Sequence, residues 1–445
     1  MIYNFITVLT VALSLAYFFY SCRNDTILNP VTYVIFFQLI EFTGTLGYMN
    51  YSQVADIVYY YLHIAGIVSI IVGFIVGDNL FPVRNSKVLK WVKEEYYVEK
   101  GIVYNKLIYM LILISTLVCA IYYTTIGYNV FLLGAASLLS GSGPLENVSS
   151  LRLATYNSAV TGNYYFPGYV NQFKNTLLPF SLFYLWGVLG IEGFTKNKLF
   201  TKTLLTIFSI FALIFILGTG QRGAFILAML NGGIFIISIS SKERKRKIMI
   251  IGGAILFFFF TVNSLINGRT QSGEFSLLEG LEQLWSRVTS ENQSSAIIGF
   301  RGIIYISPTQ WGEEWIDELL GILPSYPGST LSNDIAQLIW GGLGTCPESS
   351  WGNLYYNFGW IGIIVVPFTV SVALKYFYFR FYEKKKSLFR IIIYSWAFFQ
   401  IGSWVVSGPI DYYFNGGLVA IVILKILLGM SEKILGRKTK IVQVK

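Results

Sequence analysis

Long apolar runs recur along this sequence and leave few possibilities for its fold. "TLLTIFSIFALIFI" (203–216) and "FILAMLNGGIFIISI" (225–239) are two of them. Each belongs to a segment near the roughly 20 residues that a helix needs to cross a bilayer, and each is too long for a strand of a membrane barrel. Only 13% of the residues are charged, against about a quarter in soluble domains. The sequence therefore predicts an all-α polytopic membrane protein.

We predict about eleven transmembrane helices in a single membrane domain over residues 1–445. Their centres fall near residues 11, 40, 67, 115, 185, 210, 231, 257, 363, 398 and 421. Basic clusters at 195–202, 242–247 and 383–386 follow alternate helices, and a basic tail follows the last one. The positive-inside rule then places the amino terminus outside and the carboxyl terminus in the cytoplasm. We attribute the net charge of +10 to these loops and expect no nucleic-acid partner.

Two long segments are expected on the outer face. Residues 127–175 contain apolar stretches too short to span, so we predict a re-entrant or interfacial segment there. Residues 267–350 form a large outer helical loop, with an amphipathic helix whose apolar face includes Leu278 and Trp285. A second helix is predicted to begin at Ser307 as cap, with Pro308 in its first turn. Long loops on rigid scaffolds often carry function.

Basic residues on the predicted outer face are nearly all arginines, with Lys174 as the one lysine. Positive charge outside opposes the orientation rule, and the planar arginine fork binds phosphate through two parallel hydrogen bonds. We interpret these arginines as ligands for the anionic headgroup of a lipid carrier. The alternative is that they pair with nearby acids or extend to lipid phosphates. The set is Arg152, Arg222, Arg269, Arg287 and Arg301.

Acidic residues also occur in the outer loops. Glu313, Glu314, Asp317 and Glu318 lie at helical spacing, which fits a cation site or, as we favour, a solvated helix face. Glu348 stands in "TCPESSWGNLYYNFGWIG" (345–362), among aromatic residues such as Tyr355 that can stack on sugar rings. It is the candidate catalytic base, and Asp334 and Asp411 are lesser candidates. A capping or interfacial carboxylate is the alternative for each.

The sequence gives little support for a catalytic triad, a metal site or a nucleotide-binding loop. Glu41 is an intramembrane acid, for which function and an internal hydrogen bond are both open. The single histidine, His63, has no partner by motif for a triad, and the three cysteines are far apart. There is no Gly-rich phosphate loop with its lysine. We therefore expect no metal and no cofactor.

Several of these stretches together resemble the bacterial O-antigen or capsule repeat-unit polymerases (Wzy type), which are relatives of the O-antigen ligases. The resemblance rests on "ILNPVTYVIFFQLIEF", "YYFPGYVNQFKNTLLPF", "GTGQRGAF" and "SSWGNLYYNFGWIG". Some members carry Arg-x10-Gly motifs in outer loops, which Arg222 with Gly233, Arg269 with Gly280 and Arg301 with Gly312 fit. Many members place an acid directly after the glycine of the last motif, whereas this chain has Asn353 there.

The resemblance implies an all-helical fold of the class C glycosyltransferase type in the bacterial inner membrane. It also implies a metal-independent enzyme that transfers a growing undecaprenyl-diphosphate-linked glycan onto a new lipid-linked repeat unit, with a chain-length regulator as a further partner. Glu348 and Arg301 would be catalytic. Arg222, Arg152, Arg269, Asp334 and Tyr355 would bind the diphosphate and glycan. A lipid-linked oligosaccharide flippase or an O-antigen ligase are the alternatives.

Overall fold

The structure, a computed structural model, describes most of the chain. The described residues are 2–23, 25, 28–94, 96–100, 102–140, 151, 166–189, 198–220, 222–239, 252–253, 282, 285–321, 323, 326–342, 344–408, 410, 426 and 440–443. The predicted helices centred near 257 and 421 lie outside these residues, as do Phe275, Leu278 and Leu281 of the predicted amphipathic helix.

Helices account for nearly all of the described structure. The first ten are α1 (Ile2–Cys22), α2 (Pro30–Leu46), α3 (Val54–Leu80), α4 (Asn85–Lys93), α5 (Ile102–Ile126), α6 (Val130–Leu139), α7 (Pro167–Asn171), α8 (Leu178–Leu189), α9 (Lys198–Leu217) and α10 (Arg222–Ile239). The next five are α11 (Asn292–Gly299), α12 (Glu313–Leu320), α13 (Leu331–Trp340), α14 (Ser349–Glu383) and α15 (Leu388–Ser407). Three π-helical turns are π1 (Gln172–Leu177), π2 (Arg287–Glu291) and π3 (Phe300–Ile304).

Five helices are long and apolar enough to cross a bilayer within the described part of the chain. They comprise Ile2–Cys22, Val54–Leu80, Lys106–Ile126, Leu199–Leu217 and Ser349–Glu383. Shorter apolar helices cover Pro30–Leu46, Gly223–Ile239 and Leu388–Ala397. The prediction of a multi-pass membrane protein is therefore confirmed, and nine of the eleven predicted helix centres lie in described helices.

The chain divides into two compact units. Unit 1 comprises Met1–Val92, Gln283–Lys384 and Ala397–Gly416, and unit 2 comprises the rest. The main packing in unit 1 joins α3 to α14. Gly66, Gly73 and Gly77 of α3 face α14 so closely that a Cβ on any of them would overlap it. Small residues allow such close approach of membrane helices, where packing replaces the hydrophobic effect.

Unit 2 is built around α5, π1, α8 and α9. It also contains two strands, β1 (Tyr97–Lys100) and β2 (Lys440–Gln443), which pair antiparallel with Tyr97 opposite Gln443. This short pair leaves the predicted all-α class of the fold unchanged. Its strands have only four residues each and are joined by hydrogen bonds between distant parts of the chain, so no local pattern marks them.

One predicted helix boundary is wrong. The helix expected from Ser307 begins at Glu313, as α12. The Ser307 hydroxyl donates to the Ile303 carbonyl (2.7 Å) and so belongs to the end of the preceding helical segment instead of capping the next one. The chain then turns through Trp311 (φ 53°) and Gly312 (φ 89°), whose left-handed backbone cannot belong to a right-handed helix.

Candidate functional site

The carboxylate of Glu348 lies inside unit 1, in the turn that precedes α14. The residue is 6% exposed, and its Oε1 accepts a hydrogen bond from Asn353 Nδ2 at 3.1 Å. The same Nδ2 donates to Glu314 Oε2, also at 3.1 Å. One amide nitrogen therefore bridges two buried carboxylates.

Glu314 is held by two further donors. Ser329 Oγ donates to its Oε1 at 2.8 Å, and Asn357 Nδ2 donates to its Oε2 at 2.7 Å. Hydrogen bonds to an ionised acceptor are short and strong, so three of them fix the orientation of this carboxylate. The expected solvated face of α12 is therefore wrong for Glu314, although Glu313 beside it is exposed.

The orientation of the bridging amide follows from a tryptophan. Trp315 Nε1 donates to Asn353 Oδ1 at 2.6 Å. An indole N–H can only donate, so the oxygen of the amide must face Trp315 and the NH2 group must face the two glutamates. Trp315 and Glu314 are neighbours on α12, and the left-handed Gly312 just before this helix sets its direction.

The turn that carries Glu348 is anchored to α3. Ser349 has φ 61°, a conformation that non-glycine residues rarely adopt, and its Oγ is 2.6 Å from the Tyr59 hydroxyl. The Gly352 amide also donates to this Oγ, at 3.3 Å. Strained backbone of this kind persists where surrounding contacts enforce it and occurs often at functional sites.

A cavity of about 240 Å³ opens beside the two carboxylates. Glu314, Glu318 and Glu348 contribute acidic groups to its wall, Ser329 and Ser332 contribute hydroxyls, and backbone near Gly328 completes it. Carboxylates accept hydrogen bonds and hydroxyls both donate and accept, which suits the hydroxyl groups of a sugar. A carboxylate at such a wall can also take a proton from a bound hydroxyl. We refer to Glu314, Glu348, Asn353 and this cavity as the carboxylate pocket.

Arg301, predicted to be catalytic, lies in π3 and is engaged by Asp56 of α3. Its Nε and Nη2 donate to the two carboxylate oxygens of Asp56, and Nη2 also donates to the Tyr48 carbonyl at 2.9 Å. The bond to Asp56 raises the pKa of Arg301 above its ordinary value. This is the pairing that the alternative interpretation expected, and the catalytic role of Arg301 stays a prediction.

The other predicted ligands are spread over the chain. Asp334 is exposed in the first turn of α13 and accepts from Thr330 Oγ1 (2.9 Å). The ring of Tyr355 lies against Phe300 and Trp360 within unit 1. Arg222 is the first residue of α10 in unit 2. Arg152, Arg269 and Asp411 lie outside the described residues.

Glu41 and His63 both have contacts within the protein. Glu41 accepts a hydrogen bond from Gln293 Nε2 at 3.0 Å, which is the internal bond considered as its alternative. The His63 ring packs edge to face on Tyr59 and also contacts Phe42 and Trp351. In the part of the chain that the structure covers, no three His, Cys, Asp or Glu side chains form a metal-binding group.

The sequence analysis named Glu314 and Asn353 but predicted neither the burial of Glu314 nor the bridging position of Asn353. A usable signal was present, because Asn353 and Asn357 are two amides one helical turn apart in an otherwise apolar and aromatic segment. Comparisons of the chain with protein-family models, with characterised proteins and with solved structures find no match.

Proposed function

We propose that this protein is a membrane glycan polymerase, which transfers a growing undecaprenyl-diphosphate-linked glycan onto a new lipid-linked repeat unit at the outer leaflet. The observation that carries the proposal is the carboxylate pocket, in which one amide joins Glu314 and Glu348 beside a polar cavity. Its place at the start of a long apolar helix suits a substrate with a lipid tail and a sugar head. The sequence resemblance to repeat-unit polymerases supports the same reaction.

In the proposed reaction an acceptor hydroxyl of the new repeat unit binds in the cavity. Glu348 takes its proton as the oxygen attacks the anomeric carbon of the growing glycan. The bond from that carbon to the diphosphate oxygen breaks, and the lipid diphosphate leaves with the bonding electrons. We assign Glu314 to positioning, because three donors already occupy its carboxylate oxygens.

The leaving diphosphate gains negative charge, which arginines can stabilise without a metal. Arg222, Arg152 and Arg269 are assigned to this role. Arg301 uses Nε and Nη2 for Asp56 and Tyr48, and its Nη1 has no hydrogen bond to a described residue. The two N–H groups of Nη1 are what Arg301 offers to a phosphate oxygen.

The test is incubation of purified protein with lipid-linked repeat units, followed by gel analysis. A ladder of products establishes polymerisation. We predict that Glu348→Gln lowers the rate by about 10²-fold or more, which is the usual contribution of a general base. Glu313→Gln removes an exposed acid nearby and should keep the wild-type ladder. Equal ladders from both variants would refute the role of Glu348.

A flippase is the second candidate. A flippase is expected to carry charged side chains on its helices, and this chain has such residues. Lys174 is fully buried in unit 2, and Lys375 of α14 pairs with Asp78 of α3 at 2.8 Å in unit 1. A flippase would move lipid-linked units across a vesicle membrane and give no ladder. A ligase fits less well, since the related ligases are expected to use a histidine in the large outer loop. The single histidine here lies in α3.

A further inference from the structure

Lys174 of unit 2 carries a buried amine. It lies in π1, the π-helical turn between α7 and α8, and is 0% exposed. Its Nζ donates to Thr219 Oγ1 at 2.9 Å. No carboxylate forms an ion pair with it among the described residues. An ammonium group has three N–H donors, and a single hydroxyl neither satisfies them nor balances the charge.

Thr219 belongs to a hydrogen-bonded turn between α9 and α10. The Gly218 carbonyl accepts from the Val130 amide at 2.8 Å, and the Tyr123 hydroxyl donates to the Phe215 carbonyl at 2.6 Å. Gly220 has φ 70°, which glycine adopts at little cost. Thr219 itself is 1% exposed, so the turn presents its hydroxyl inside the protein.

This turn leads directly into the amino terminus of α10, which begins at Arg222 and has 18 residues. The first amides of a helix have no partner within the helix, and its dipole favours negative charge there. π1 packs against both α9 and α10, so Lys174 reaches the turn from the side. A buried ammonium, a buried hydroxyl and a helix amino terminus thus converge on one place.

Burying an ammonium without a counter-charge is costly, and this burial lowers the pKa of Lys174 to about 7. We propose that Lys174, Thr219 and the amino terminus of α10 form a binding site for a phosphate-type anion. A phosphate group has several acceptor oxygens and supplies the missing charge, and Thr219 Oγ1 can donate to it while accepting from Lys174. Under the proposed function, on which this identification rests, the anion is the diphosphate of the lipid carrier.

The experiment measures thermal unfolding of the full chain in detergent, by tryptophan fluorescence, with increasing inorganic pyrophosphate. Wild-type protein should show a rising midpoint. Lys174→Met, which keeps the length of the side chain without its charge, should weaken the apparent affinity about tenfold or more, the loss of one charge-assisted hydrogen bond. Lys202→Met removes an exposed lysine of α9 and should respond as wild type. Lys174→Gln, which can still donate to Thr219, replaces the methionine variant if that variant does not fold.

A second arm separates a free anion from a lipid headgroup. Nanodiscs of phosphatidylcholine alone are compared with nanodiscs that also contain phosphatidic acid. A Lys174-dependent rise with either pyrophosphate or phosphatidic acid supports the site, and the responsive arm names its source. A response in Lys174→Met equal to that of wild type, or no response of wild type in either arm, would overturn it. The ladder assay is independent, so polymerisation without anion binding refutes this site alone, and anion binding without a ladder refutes the polymerase alone.

Discussion

Arg301 of unit 1 and Lys174 of unit 2 have opposite surroundings. Both lie in π-helical turns, which are rare and occur frequently at functional sites. Arg301 donates hydrogen bonds from Nε and Nη2 to the two oxygens of Asp56, a fully buried carboxylate. Among the described residues Lys174 has one hydrogen bond, to the neutral hydroxyl of Thr219, and lies near the Cys119 thiol. Arg301 therefore has a counter-charge among the described residues, whereas Lys174 has none there.

The difference separates structural from binding roles. We predicted that the arginines bind a phosphate headgroup because the guanidinium fork forms two parallel hydrogen bonds. The same fork makes Arg301 a good partner for the carboxylate of an aspartate. A charge that is balanced inside the protein should matter most to stability. A charge without an internal partner should matter most to ligand binding. The following predictions test this contrast.

The largest effect is expected for Arg301→Met. It leaves Asp56 buried without its cation and should lower the free energy of unfolding by about 3 kcal/mol. Arg380→Met removes an exposed arginine of α14 in the same unit and should change stability little. Denaturation in detergent, followed by circular dichroism, gives the comparison. A loss for Arg301→Met no greater than for Arg380→Met would remove the structural role from Arg301.

A smaller loss is expected for Arg301→Lys. The charge stays, but one ammonium cannot bind both Asp56 oxygens and the Tyr48 carbonyl as the fork does. We expect about 1 kcal/mol of destabilisation, the value of one hydrogen bond. The ladder assay, normalised to folded protein, adds a second measurement. Activity that falls while stability stays at the wild-type value would show that Arg301 acts on the substrate instead.

Lys174→Met should have no stability cost in the absence of anions. Replacing an unbalanced buried charge by an apolar side chain of similar volume is often neutral or stabilising, here by about 1 kcal/mol at most. The same denaturation in anion-free buffer measures it. A loss comparable to that of Arg301→Met would show that the bond to Thr219 is structural, and the contrast between the two cations would collapse.

The smallest effect is expected from chelation. The carboxylates of the pocket are bound by amide and hydroxyl donors, and the proposed reaction uses no metal. Polymerisation should therefore keep its wild-type rate in EDTA. Loss of the ladder in EDTA and its return with a divalent ion would mean that Glu314, Glu318 and Glu348 receive their counter-charge from a metal.

Local patterns predicted the membrane helices well, because each needs only a long apolar run. The start of α2 is likewise marked by neighbouring residues. The Val31 amide donates to the side chain of Asn29 (3.2 Å), which caps the helix, and Pro30 occupies its first turn. The candidate site is different. The residues around Glu314 in α12 predict an exposed acid. In the fold its carboxylate is buried and accepts hydrogen bonds from Asn353 and Asn357, which lie about 40 residues later in the sequence.

The pairing of Arg301 with Asp56 spans 245 positions of the sequence, and nothing near either residue marks the other. The position of Asn353 is the most instructive. It departs from the polymerase pattern, which has an acid there, and it holds two acids that come from α12 and from the turn before α14. The pattern of basic loops predicts that these acids and arginines lie in outer loops, but only the folded contacts show which of them meet.

The break in α14 determines how much of this helix is needed to cross the bilayer. Gly359 (φ 58°, ψ −147°) interrupts the helix, so residues 349–358 and 360–383 are separate rods. At 1.5 Å per residue the second rod is about 36 Å long, which exceeds the roughly 30 Å thickness of a hydrocarbon core. The first rod, which carries Asn353 and Asn357, is therefore not needed to cross the bilayer. Its amides can meet a water-soluble sugar while the lipid tail stays alongside the second rod.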